Sequence, residues 1–268
     1  MTSVSVAFDR ARSEHRAALI GYLPAGFPDV EGSIAAMRTM VEAGCDVIEV
    51  GMPYSDPVMD GPVIQAAVQQ ALGSGFRVDD LFRVVEAVAE TDTPTVVMTS
   101  WNPVEKRGVD RFAQHLADAG GAGLITPDIT PDYAAEWIAA ADARGLDKVF
   151  LAAPSSTEKR LAETATACRG FLYATAVMGV TGVRATTSDL AGPLVARVRA
   201  AAPDLPVGVG LGISNGEQAA EVASYADGVI VGSAFVRTLQ RYADDRAAGL
   251  AGLARLTEEL SGGVRAIS

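Results

Sequence analysis

The chain has 268 residues, with 33 acidic side chains against 22 basic ones and a formal net charge of −11. A field of that sign repels a phosphate backbone and no Lys/Arg cluster offsets it, which argues against a nucleic-acid partner. Hydrophobic residues make up 49% and aromatics only 6%, a balance rich in Ala, Val and Gly that suits helices packed closely on parallel strands.

The N-terminal stretch MTSVSVAFDRARSEHRAA carries charges where a signal peptide needs an apolar core. It is expected to form a helix, containing His15, ahead of the first strand. No uninterrupted apolar run reaches membrane-spanning length, so a cytoplasmic protein is expected. Short β-branched runs then alternate with amphipathic stretches to the end of the chain: AALIGYLP, DVIEVGMP, TPTVVMTS, AGLITPD, DKVFLAAP, GFLYATAV, LPVGVGLGI and DGVIVGSA. Stretches such as SIAAMRTMVEAG and VDRFAQHLADAG place apolar residues three and four apart and often close on Gly, as helices do. About eight such units over this length predict α/β architecture. The expected fold is a single (β/α)8 TIM barrel covering residues 1–268 as one domain, with the extra N-terminal helix and a helical C-terminus.

On such a barrel the active site lies at the C-terminal ends of the strands. In DVIEVGM, alternation puts Val47, Glu49 and Gly51 on one face and Ile48 and Val50 on the other. With Ile48 and Val50 toward the helices, Glu49 points into the barrel near its rim, where desolvation raises its pKa and suits it to proton exchange. A structural Glu tied to a neighbouring hydroxyl or amide is the plainer alternative. Asp56 and Asp60 follow in a Gly/Pro loop, and either could be a simple turn former.

Glycine loops follow the last three strands: MGVTG with Gly182, GLGIS with Gly212, and GSA with Gly232 and Ser233. Backbone amides beside a helix start can hold a phosphate without Lys or Arg, although tight turns alone would also call for glycine. MGVTGVRATTSDL is long and polar enough to order as a lid.

Three lysines are present. Lys148 opens a strand at the barrel's lower end, Lys159 lies in a predicted helix and Lys106 in a predicted loop, so a Schiff-base aldolase is disfavoured. His15 and His115 both fall in predicted helices, away from the carboxylates, so no metal site is expected. Cys45 and Cys168 read as buried free thiols. What remains is acid–base chemistry by carboxylates on a phosphorylated substrate that supplies its own electron sink, a lyase or an isomerase.

EVGMPYSDPVMDGPVIQ closely resembles the signature of the tryptophan synthase alpha subunit family, with Glu49 and Asp60 at the family's spacing. The likeness extends to GYLPAGFPD, WNP, MGVTG, GLGIS and GSA, and covers nearly the whole chain. The resemblance implies retro-aldol cleavage of indole-3-glycerol phosphate to indole and glyceraldehyde 3-phosphate. By analogy Glu49 shuttles protons, taking one from the glycerol hydroxyl and protonating indole C3, while Asp60 binds the indole N–H. Tyr22 and Tyr173 are implied at the substrate, Gly182, Gly212, Gly232 and Ser233 at its phosphate, and Thr181 as a loop-six contact to Asp60.

The resemblance further implies no cofactor in this chain. It implies a beta-subunit partner carrying pyridoxal phosphate, an α2β2 heterotetramer, and Asp56 and Pro57 in the partner interface. Trp101 stands where Tyr is common in the family, Tyr22 where Phe often occurs, and Met178 where a small or basic residue is frequent. Rival readings are a stand-alone indole-glycerol phosphate lyase, a sugar-phosphate isomerase or epimerase, and a catalytically silent activating subunit.

Overall fold

Eight strands hydrogen-bond side by side in chain order, all parallel, and close on themselves. They are β1 Ala18–Pro24, β2 Val47–Gly51, β3 Thr95–Met98, β4 Gly123–Thr126, β5 Asp147–Ala152, β6 Leu172–Thr175, β7 Val207–Gly210 and β8 Gly228–Val231. Each falls inside one of the expected runs. The structure, a computed structural model, describes residues 3–56, 59–175, 188–210 and 212–266.

Closure follows from the strand sequences. Ile20, Val47, Val96, Ile125, Val149 and Ile230 cluster together inside the barrel, while Ile48, Val50, Val97, Leu124, Val209 and Val229 pack against the helices. Most strands thus carry apolar residues on both faces, as a parallel sheet covered on one side and filled on the other requires, with Glu49 the inward exception on β2. The helix α1, Ser5–Ser13, closes the lower end: Val4, Ala7, Phe8 and Ala11 join the interior cluster, and the Phe8 and Phe171 ring centroids lie 5.4 Å apart.

A buried ion pair fixes the same end. Arg16 Nη1 and Nη2 donate to Asp46 at 2.6 and 2.9 Å, and the Leu19 N–H donates to the same carboxylate at 2.9 Å. The side chains of Arg16 and Asp46 are 2% and 3% exposed. Burial alone would raise the Asp46 pKa, but the Arg16 hydrogen bonds and charge hold it below the ordinary value. Each ion has a second, more exposed partner, Arg10 on Asp46 at 2.7 Å and Glu14 on Arg16 at 2.6 Å, so the pair is the buried centre of a four-residue network.

The outer layer departs from one helix per strand. Helices α2 (Val30–Glu42), α7 (Ala135–Arg144), α8 (Glu158–Ala167), α9 (Ser188–Ala201) and α10 (Gly216–Ala223) are single crossovers. By contrast, α3 (Pro62–Gly73) and α4 (Val78–Ala89) both separate β2 from β3. Likewise α5 (Trp101–Arg107) and α6 (Val109–Asp118) separate β3 from β4, while α11 (Ser233–Arg241) and α12 (Arg246–Arg265) follow β8.

Two expectations are corrected here. Lys106 is not in a loop but in the last turn of α5, where a cation complements the helix dipole. His15 lies beyond α1 in a turn at φ 53°, because the helix stops at Ser13 before the chain enters β1. Lys148 and Lys159 sit where expected, in β5 and α8. Cys45 is buried, but Cys168, at the α8 C-cap, is only partly so. Burial pushes both thiols up, Cys168 to about 12, which leaves little thiolate for chemistry.

Candidate active site

Glu49 faces inward on β2, one inward position above Val47, in register with Tyr22 of β1 and Val96 of β3. The residue is 1% exposed, and its Oε2 has no hydrogen-bond partner among the described residues. The structural-Glu alternative ties this side chain to a neighbouring hydroxyl or amide, and Oε2 has none among the described residues. Desolvation first, and the charge of Asp60 second, push the Glu49 pKa up to about 8. An unpartnered buried carboxyl avoids its desolvation cost by holding a proton.

Two tyrosines flank it, each seated where a strand glycine supplies no side chain. A Cβ on Gly51 would collide with the Tyr22 hydroxyl and ring, and one on Gly210 would collide with the Tyr173 hydroxyl. Gly232 faces the Tyr22 ring, its added Cβ falling 3.0 Å from Cδ1. Both inward positions of β7 are glycines, and neighbouring side chains fill the space they leave: Phe171 and Ile230 beside Gly208, and Tyr173 beside Gly210. Desolvation first, then neighbouring acidic groups, raise both phenols: Asp60, Glu49 and Tyr173 act on Tyr22, and Glu49 acts on Tyr173. The sequence reading missed Gly51 and Gly210. Their inward phase, the same as that of Glu49, is the signal that could have found them.

The loop after β2 brings in the second carboxylate. Asp60 borders a pocket with Tyr22, Met52, Tyr54 and Met98, and burial raises its pKa. Its backbone carbonyl accepts from Gln65 Nε2 at 2.7 Å, which ties the loop to α3. Asp56 points the other way: it is exposed and accepts from Ser55 Oγ at 2.6 Å. Trp101 opens α5, its N–H donating to Asp128 Oδ1 at 2.8 Å. Pro57, Met178, Thr181 and Gly182 lie outside the described residues.

The two described glycine loops differ in what they leave open. Helix α10 is capped by its own Asn215, whose Oδ1 accepts from the Gln218 N–H at 2.9 Å, and the Gly216 N–H donates to Glu259. The N-cap of α11 is Gly232, and no side chain caps that helix among the described residues. The first-turn amides of Ser233 and Ala234 therefore lack intrahelical acceptors and carry the positive end of the helix dipole. Gly212 turns the preceding loop at φ +69°, a conformation that strains other residues. Two carboxyls, two phenols and an uncapped helix start can together exchange protons beside an aromatic ring and hold an anion.

The sequence profile of the tryptophan synthase alpha chain family matches residues 8–265. The chain belongs to that family. It is similar to the tryptophan synthase alpha chain of Salinispora tropica, 63% identical over 99% of this chain and 98% of that protein. It is 58% identical to that of Mycobacterium marinum, over 96% and 93% of the two chains. Among solved structures, a Mycobacterium tuberculosis tryptophan synthase chain superposes with TM-score 0.91 at 54% identity, covering 99% of both chains. A Legionella pneumophila tryptophan synthase subunit alpha superposes with TM-score 0.89 at 30% identity, covering 98% of both.

As a tryptophan synthase alpha chain, the protein is a carbon–carbon lyase of tryptophan biosynthesis that cleaves indole-3-glycerol phosphate, and the family implies a beta-subunit partner. No helix among the described residues is long and apolar enough to cross a membrane.

Proposed function

We propose that Glu49 and Asp60 carry the cleavage of indole-3-glycerol phosphate, with Glu49 as the single proton carrier. The observation behind this is the buried Glu49 carboxyl, whose Oε2 has no hydrogen-bond partner among the described residues and whose pKa is pushed up to about 8 by burial and then by the charge of Asp60. At neutral pH it holds a proton. Delivered to indole C3, that proton makes the ring an iminium with positive charge at N1. Asp60, accepting from the indole N–H, stabilises that charge electrostatically. The Glu49 carboxylate then takes the proton of the glycerol hydroxyl next to the ring. The carbon–carbon bond breaks as the hydroxyl carbon becomes the aldehyde of glyceraldehyde 3-phosphate, and the bonding pair returns through the ring to N1. Glu49 ends as it began, and neither a lysine nor a metal enters the cycle.

Tyr22 and Tyr173 line the indole, and Gly212, Gly232 and Ser233 hold the phosphate at the start of α11, with Gly182 expected from the family motif to join them and Thr181 to reach Asp60 from loop six. The segment carrying the exposed Asp56, with Pro57 after it in the sequence, meets the beta subunit, pyridoxal phosphate sits on that partner, and the assembly is an α2β2 heterotetramer. The chain acts as one domain over residues 1–268, in the cytoplasm.

Indole release from indole-3-glycerol phosphate, assayed for the purified chain alone and with a cognate beta subunit, tests this reading. Slow release that rises by at least about tenfold with the partner is expected, since loop closure commits many such sites to turnover. Fast release unaffected by the partner would favour the stand-alone lyase, and no release in either case would favour the silent subunit.

A further inference from the structure

We propose that Tyr54 is a positioning residue for Asp60, clasped by Asn102, and that this pair forms the wall between the catalytic pocket and an outer groove. The inference rests on the role given to Asp60 above. Asn102 Nδ2 donates to the Tyr54 hydroxyl at 2.8 Å, linking the loop after β2 to the first turn of α5. Tyr54 and Met52 line the pocket that holds Asp60 and Met98. The same two residues line a second, outer groove with Leu72, Val78, Pro103 and Arg111. Tyr54 therefore stands between the two cavities, and its orientation decides whether they are separate.

The clasp completes a chain of fixed points. The Met52 N–H donates to the Met98 carbonyl at 2.9 Å, which anchors the start of the loop on β3. Gln65 holds the Asp60 carbonyl at the other end. Asn102 follows Trp101, whose N–H donates to both Asp128 carboxylate oxygens at 2.8 and 3.1 Å, so the clasp is anchored through α5 to the loop after β4. Without the hydroxyl the loop keeps these two anchors and loses the one at Tyr54. Asp60 then samples positions off the indole nitrogen, and misplacement of a charge-stabilising group lowers turnover more than substrate binding. The phosphate grip at α11 is made by other elements and stays intact.

The test is a double-mutant cycle on indole release by the purified chain, alone and saturated with beta subunit. Tyr54→Phe keeps the ring and Asn102→Ala removes the donor. Each is expected to lower kcat about fivefold with KM within about twofold, and the double variant to be no worse than either single one. Asn102→Asp, which can accept from the Tyr54 hydroxyl, is expected to retain most of the wild-type kcat. Wild-type kcat in Tyr54→Phe, effects that multiply in the double variant, or a rise in KM alone would each overturn the clasp. Those outcomes are distinct from failure of the reaction reading, in which the wild-type chain itself makes no indole. Matching melting temperatures for wild type and Tyr54→Phe show that the loss is not one of fold.

Discussion

Glu49→Gln is expected to abolish indole formation, with kcat reduced by roughly 10³-fold or more, the upper part of the range for removing a general acid–base group, while the barrel stays folded. Glutamine fills the same space and can neither deliver a proton to C3 nor take one from the hydroxyl. The same substitution changes stability in a pH-dependent way. Glu49 has a folded pKa of about 8 against an ordinary 4.5. Between those values the folded state holds a proton that the unfolded chain has lost, so stability falls as pH rises through the window and the penalty is complete above about 8. Glutamine does not titrate. The variant should therefore exceed wild type in stability by on the order of a few kcal/mol at pH about 8.5, with the gap closing toward pH about 5. Urea unfolding of both proteins at the two pH values checks this; a gap independent of pH would remove the pKa argument, and normal turnover would remove the proton carrier.

Asp60→Asn should lower kcat by about 10²- to 10³-fold and leave KM within a few-fold. A carboxylate about 4 Å from a developing cation is worth about 4 kcal/mol at an effective dielectric constant near 20, and the neutral amide forfeits most of it. Binding of glyceraldehyde 3-phosphate should be unaffected, because the phosphate site proposed above lies on α11 and the loop after β7. The Asp60 charge also contributes to the raised Glu49 pKa, so the variant's residual activity should lose its base limb at a lower pH than wild type. Steady-state kinetics across pH separate these effects. Unchanged kcat would contradict the assigned role, and a large KM effect alone would recast Asp60 as a binding group.

The barrel was legible because each strand is a short β-branched run and parallel pairing needs little more than that pattern and a following helix. Glu49 was legible for a related reason: the two-residue period of a strand assigns Val47 and Glu49 to one face before any fold is known. The paired helices were not. WNPVEKR, with its early Pro and only 7 residues as α5, reads as a loop, and its helix is started from outside by Asp128, a contact from the next unit of the barrel. The same limit applies to the glycines. Gly51 and Gly210 look like strand-end glycines in the sequence, whereas their purpose, seating Tyr22 and Tyr173, depends on which rings lean over them. Gly212 and Gly232 look alike as motifs, yet Asn215 caps one following helix and no side chain among the described residues caps the other. The Tyr54–Asn102 bond spans 48 residues and has no local signature.

The most direct measurement is the pH dependence of kcat/KM for indole release from indole-3-glycerol phosphate by the purified wild-type chain. That ratio reports the ionisations of the free enzyme. Release should be maximal near neutrality and fall with a single base limb near pH 8, where Glu49, pushed up to about 8, gives up its proton. An acid limb should lie above the ordinary aspartate value, from the raised pKa of Asp60. A rate that stays flat through pH 8 and beyond would contradict a protonated Glu49 as the group that starts the reaction.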